Sequence, residues 1–180
     1  MLTSDIFAGS MEELERTFLV KFVPDLSGCE SKEVVDIYVP KTREHATLRI
    51  RKSGSSYEIT KKEPARDNPA VMNEETVRIT KDEFEALANT DGKRLHKIRY
   101  FYAKDGLDAQ IGVFKGDLNG LVLADFEFGD EASMNSFKAP DFCLLEVTDE
   151  DFLAGGMLCG KSYKDIESRL EAMGYKRLVD

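Results

Sequence analysis

Four short stretches of this chain place two like charges two positions apart with an apolar or aromatic residue between them: Glu13 and Glu15, Arg49 and Arg51, Lys97 and Arg99, Asp125 and Glu127. Successive side chains of a β-strand point to opposite faces, so each pair shares one face and its neighbours take the other. That other face is apolar. Leu14 divides the first pair, Leu48 and Ile50 flank Arg49, Ile98 and Tyr100 flank Arg99, and Phe126 and Phe128 flank Glu127. One such strand would be an ordinary amphipathic strand with its polar face in water. Two acidic and two basic pairs in one chain point instead to a concave polar surface that holds a divalent cation together with a phosphate chain. Like charges about 7 Å apart repel by roughly 2.4 kcal/mol at an effective dielectric of about 20. Water screens that on an open face, whereas an enclosed face needs counter-charges or bound ions.

Strand patterns recur at about 12–23, 33–39, 46–52, 56–62, 73–79, 95–102, 108–115 and 121–128, enough to close a barrel. Ser53-Gly54 reads as a hairpin turn, and 65–70, between Pro64 and Pro69, as a surface loop. Thr80 opens a capping box that leads into an apolar stripe of Phe84, Leu87 and Ala88. Thr148-Asp149-Glu150-Asp151 repeats the signature before Phe152, and Tyr163, Ile166, Leu170 and Met173 lie at helical spacing before Gly174. The expected fold class is therefore α+β, with flanking helices beside strands numerous enough to close a barrel. The first ten residues carry little pattern and read as a flexible lead-in to one domain over 11–180.

The formal charge is −9, which argues against general nucleic-acid binding. Local clusters of basic residues inside an acidic chain suit a small anion. Cys29, Cys143 and Cys159 have the odd number and wide spacing of free thiols in a reducing cytoplasm, and two histidines make a histidine zinc site a poor reading. No apolar run reaches membrane-spanning length. The expected location is the cytoplasm.

The stretch ELERTFLV at 13–20 resembles the N-terminal ExExK signature of the CYTH family, the triphosphate tunnel metalloenzymes. LRIRK at 48–52, ITKK at 59–62, KIRYFY at 97–102, GLVLADFEF at 120–128 and EVT at 146–148 follow in the family's order. The resemblance implies an eight-stranded antiparallel β-barrel, a tunnel with flanking helices, whose interior binds a triphosphate-containing small molecule with Mg²⁺ or Mn²⁺. It assigns Glu13, Glu15, Glu74, Asp125 and Glu127 to metal binding, and Arg49, Arg51, Lys62, Lys97 and Arg99 to phosphate. Glu13, Glu15 and Lys97 are the expected catalytic residues. Either Glu74 or Glu75 faces the tunnel, since a shift of one residue exchanges faces. Replacing Arg49 and Arg51 with alanine is expected to weaken triphosphate binding and leave the fold intact.

Some positions depart from the family pattern. Thr17 stands where a lysine is usual, Gln110 and Gly112 where acids are usual on the seventh strand, and Thr76 where a second acid is usual on the fifth. The leading reading is metal-dependent hydrolysis of inorganic triphosphate or a related organic triphosphate. The alternative is a triphosphate-, polyphosphate- or nucleotide-binding module with weakened catalysis, and a further one is an adenylyl cyclase. A homodimer is left open.

Overall fold

The computed structural model describes residues 14–44, 46–65, 68–104 and 106–178, and for residues 63–65 and 68–72 the backbone alone. Nine strands form one antiparallel sheet: β1 Leu14–Val20, β2 Glu30–Val39, β3 Leu48–Ser53, β4 Ser56–Ala65, β5 Asn68–Arg78, β6 Lys93–Lys104, β7 Leu107–Phe114, β8 Val122–Phe128 and β9 Cys143–Glu146. Their order is β5-β4-β3-β2-β6-β7-β8-β1-β9. All eight expected strands are present, and β9 is added beside β1. Four residues, Cys-Leu-Leu-Glu, are too short a run to signal a strand; pairing with β1 makes them one. No pairing joins β5 to β9 among the described residues.

The sheet is curled into a tunnel. Side chains from β3, β2, β6, β7, β8 and β1 line a single cavity, and six flat neighbouring strands would extend across roughly 24 Å at a spacing of about 4.8 Å. Register fixes which face turns inward. Asp36 lies opposite Arg51, Arg49 opposite Thr60, Arg99 opposite Gly112, and Thr17 opposite Asp125.

The outward faces carry two apolar clusters. Phe18, Ile111, Ala124, Phe126 and Phe142 pack on one side. Ile37 and Ile50 are covered on the other by Phe84 of α1 (Lys81–Leu87), whose capping box at Thr80 forms as expected. A third cluster closes one end of the tunnel: Leu19, Leu95, Phe114 and Leu123 from the strands meet Phe152, Leu158, Ile166 and Leu170. Burying each such side chain stabilises by about 1.5–3 kcal/mol, so the C-terminal segment is an integral plug.

Two expectations change, and one helix is added. The helix start foreseen at Thr148 gives only a 3-10 turn, Asp151–Leu153, because the Thr148 hydroxyl is engaged elsewhere: it accepts from the Thr17 N–H and donates to Glu146. After the short α3 (Gly155–Leu158), the helix α4 (Tyr163–Ala172) follows as expected, with Ser162 and Asp165 forming its capping box. A further helix, α2 (Glu131–Ser136), is capped by Asp130, whose carboxylate accepts from the Ser133 N–H. The loop foreseen at 65–70 is largely strand, since β4 and β5 run up to residues 65 and 68. Pro64 is compatible with this because β3 pairs with β4 only as far as Lys61, leaving that edge without a neighbouring strand among the described residues. The first ten residues and Glu13 lie outside the described residues, as does His45. No helix among the described residues is long and apolar enough to cross a membrane.

Candidate active site in the tunnel

The cavity measures about 240 Å³. Its cationic lining comes from Arg49 and Arg51 on β3 and from Lys97 and Arg99 on β6, and its anionic lining from Glu15, Asp36 and Asp125. Tyr38 and the stretch Leu153-Ala154-Gly155 complete the wall at the plugged end. Strand alternation thus brings together five of the expected side chains from β1, β3 and β6, and Asp125 from β8.

The basic residues differ in how far they are already engaged. Arg51 donates from Nε and Nη2 to the two carboxylate oxygens of Asp36, at 2.6 and 2.8 Å, a fork-to-fork pair. Arg49 donates from Nη2 to the Thr60 hydroxyl at 3.2 Å and lies 3.6 Å from a Glu58 carboxylate oxygen. The buried Nε–H groups of Arg49 and Arg99 have no acceptor among the described residues. Buried donors without partners are uncommon and expensive, and a phosphate oxygen is the chemistry that satisfies them. Lys97 makes no hydrogen bond or ion pair with any described residue; its ammonium lies 5.4 Å from the centre of the Phe114 ring. Burial lowers its pKa, with Arg99 and Arg51 adding to the effect and Asp125 and Asp36 opposing it.

Gly112 lies directly against Lys97. A Cβ built there would sit 3.4 Å from Lys97 Cδ and 3.5 Å from its Nζ, ordinary van der Waals contact.

The acidic side centres on Glu15 and Asp125. The Thr17 hydroxyl lies 3.3 Å from Glu15 Oε1 and 3.0 Å from Asp125 Oδ1, so it bridges them while donating to one at a time. Partial burial, and then the Asp125 carboxylate, raise the pKa of Glu15. Like-charged carboxylates held this way suit a hard cation. Among the described residues no three of His, Cys, Asp and Glu form a ready-made cage. A divalent ion bound to Glu15 and Asp125 would complete its shell with phosphate oxygens and water, which is the usual habit of Mg²⁺. The donor set therefore fits such an ion.

The remaining expected residues lie apart from this cavity. Glu127, paired across the strands with Glu15, accepts a hydrogen bond from the Gln110 amide and lines a neighbouring recess of about 200 Å³ that shares Asp125. Lys62 lines a small recess with Tyr38, Arg49 and Thr60, and its ammonium lies 2.5 Å from Glu74 Oε2. Register places Glu74 opposite Lys62 and Thr76 opposite Thr60, whereas Glu75 is opposite Lys61 on the other face. Glu146, in the EVT stretch, is not in the cavity; it holds Arg16 and so ties β9 to β1.

Asp36 and Tyr38 escaped the sequence reading. The signal was there: Asp36 and Tyr38 alternate with Val35, Ile37 and Val39, but a lone acid on a strand carries none of the emphasis of a like-charge pair. The cysteines are not rivals for catalysis. Burial pushes the Cys143 and Cys159 thiols up to about 12, so neither is a thiolate at neutral pH.

The CYTH domain model matches residues 11–122. A curated inorganic triphosphatase from Nitrosomonas europaea is 31% identical over 142 residues, covering 78% of this chain and 91% of the relative. Another, from Acetivibrio thermocellus, is 32% identical over 73 residues, 41% of this chain and 46% of that protein. The crystal structure of an inorganic triphosphatase superposes with a TM-score of 0.66 at 28% identity, covering 84% of this chain and 96% of that one. With the fold, the tunnel and these likenesses in agreement, the chain belongs to the CYTH family.

Proposed function

We propose that the chain is a metal-dependent triphosphatase that hydrolyses inorganic triphosphate, or a related triphosphate, inside the tunnel. The observation that carries this is the convergence of Arg49, Arg51, Lys97 and Arg99 with Glu15 and Asp125 on one cavity, two of whose guanidinium groups keep buried Nε–H donors without acceptors among the described residues. Its size, about 240 Å³, falls below the roughly 300–1,000 Å³ of sites for drug-sized organic ligands and suits a compact polyanion. Relatives named as inorganic triphosphatases favour the same substrate.

In this reading Arg49, Arg51 and Arg99 grip the phosphate oxygens through planar forks. Lys97 supplies a compact positive charge where negative charge shifts during transfer, and positioning with charge neutralisation provides most of the rate. Glu15 and Asp125 would hold Mg²⁺ or Mn²⁺, which when bound neutralises phosphate charge and orients water. Glu13 belongs with them by the family pattern. Thr17 positions both carboxylates through its hydroxyl. Lys62 and Glu74 extend the charged surface beyond the cavity, and Glu127 borders it. The free thiols of Cys29, Cys143 and Cys159 agree with a cytoplasmic location.

The test is phosphate release from tripolyphosphate, thiamine triphosphate and nucleoside triphosphates with Mg²⁺ or Mn²⁺. Metal-dependent release, greatest for tripolyphosphate, is expected. Tight binding of tripolyphosphate without release would instead establish the binding module, a reading favoured by the absence of a lysine at Thr17 and of carboxylates at Thr76, Gln110 and Gly112. Cyclic nucleotide from ATP would establish the cyclase.

A further inference from the structure

Asp36 is the most deeply buried charged group in the tunnel, 2% exposed. It comes from β2 at a position opposite both Arg51 and Leu95, so it lies where the charged wall meets the apolar plug. We propose that Asp36 is a positioning residue: it fixes the Arg51 guanidinium so that the group's other N–H donors meet the substrate's phosphate oxygens. The proposal rests on the triphosphate reading of the tunnel.

The geometry supports a division of donors. Arg51 has five N–H groups. Two, on Nε and Nη2, are held by Asp36 at 2.6 and 2.8 Å. The remaining three make no hydrogen bond with a described residue, and both side chains line the cavity. A guanidinium clamped along one edge cannot rotate about its stem, so its free edge is presented in one orientation. Substrate then binds without first having to order a long side chain. Arg49, by comparison, donates to the Thr60 hydroxyl at 3.2 Å and is not held by a carboxylate fork.

Electrostatics alone predicts the reverse. Asp36 brings a negative charge into an anion site, and the groups facing it include Tyr38 on its own strand, Arg51 on β3 and Lys97 on β6. Were it only a charge, its removal would tighten binding of a polyanion. If it positions Arg51, its removal weakens binding.

Asp36→Asn separates these outcomes, because an amide keeps one acceptor but turns an N–H donor toward the Arg51 fork. Tripolyphosphate binding would be measured by titration calorimetry for the wild type, Asp36→Asn, Arg51→Lys and the double variant, with thermal unfolding showing that each is folded at the assay temperature. Each single variant is expected to bind about tenfold more weakly. The double variant should fall within about twofold of the weaker single one, since both remove the same oriented fork. Unchanged or tighter binding by Asp36→Asn, or losses that add in the double variant, would overturn the proposal. Should Asp36→Asn not fold, Arg51→Lys decides: it retains the charge and loses the fork, and an affinity equal to the wild type's would refute positioning. A wild type that does not bind tripolyphosphate overturns the triphosphate reading and this proposal with it, whereas wild-type binding with an unaffected Asp36→Asn overturns this proposal alone.

Discussion

Along β2, β3, β4 and β5 the charges that face the tunnel find partners within the wall itself: Arg51 with Asp36, Arg49 with Glu58, and Lys62 with Glu74. Along β6, β8 and β1 they do not. Lys97 has no ion-pair partner among the described residues, the Arg99 Nε–H is orphaned, and Glu15 and Asp125 face each other through one threonine hydroxyl. Paired charges hold a wall together, and unpaired ones hold it ready for ligand. Mutation of the first wall should therefore cost stability as well as binding, and mutation of the second binding and turnover with little loss of stability.

The largest effect should come from breaking the buried pair. Arg51→Ala leaves the Asp36 carboxylate, 3% exposed, without its counter-charge. Removing one partner of a buried pair costs about 3–5 kcal/mol. In a chain of this length that lowers the melting temperature by roughly 6–20 °C. The sequence-based expectation that Arg51 could be truncated without harm to the fold is thus replaced by one of substantial destabilisation, which thermal or urea unfolding would measure. A variant as stable as the wild type would place Arg51 with the ready wall.

Lys97→Met tests the opposite wall. The fold gains nothing from an enclosed ammonium whose pKa burial has lowered, so the melting temperature should hold or rise. Loss of a preorganised cation beside the phosphates should reduce kcat/KM for triphosphate by about 10²–10³. Steady-state kinetics on folded protein would show it. A loss below tenfold would mean that Lys97 does not contact the transferred group.

The contrast also explains what the sequence could reveal. Strand alternation made the like-charge pairs conspicuous, because an alternating residue pattern specifies its own inward face; hence the eight strands and Arg49, Lys97, Arg99, Glu15 and Asp125 were legible. Partnership across strands was not. Asp36 and Arg51 are 15 residues apart, and nothing local in either strand announces that they meet. The same limit hid β9, which exists only through β1, and misread Thr148, whose capping hydroxyl is drawn to Thr17 and Glu146. Gly112 read as a missing acid; only the packed tunnel shows that it lies against Lys97.

A smaller effect is expected where the paired wall meets solvent. Lys62 and Glu74 are 51% and 42% exposed, and ion pairs in such settings contribute about 0.2–1 kcal/mol. Lys62→Ala should accordingly move the melting temperature by no more than about 4 °C, as differential scanning calorimetry would record. A much larger drop would show that the structural character of this wall extends to its rim.

The smallest effect is a matter of sign. The raised pKa of Glu15 means that the folded protein binds its proton more tightly than the unfolded chain does. The resulting stability is present below the usual glutamate pKa and is lost as pH rises through the higher folded value. At neutral pH the charged carboxylate beside Asp125 is therefore a burden on the ligand-free fold. Glu15→Gln should melt slightly above the wild type at about pH 7 and lose that advantage at about pH 4, where the wild-type carboxyl is largely protonated. Adding Mg²⁺ or Mn²⁺ at neutral pH should reverse the order, since an ion that binds only the folded wild type stabilises it by mass action. If instead the variant is less stable than the wild type in the absence of metal, the Glu15–Thr17–Asp125 group is structural, and the division between the two walls fails where it was expected to be clearest.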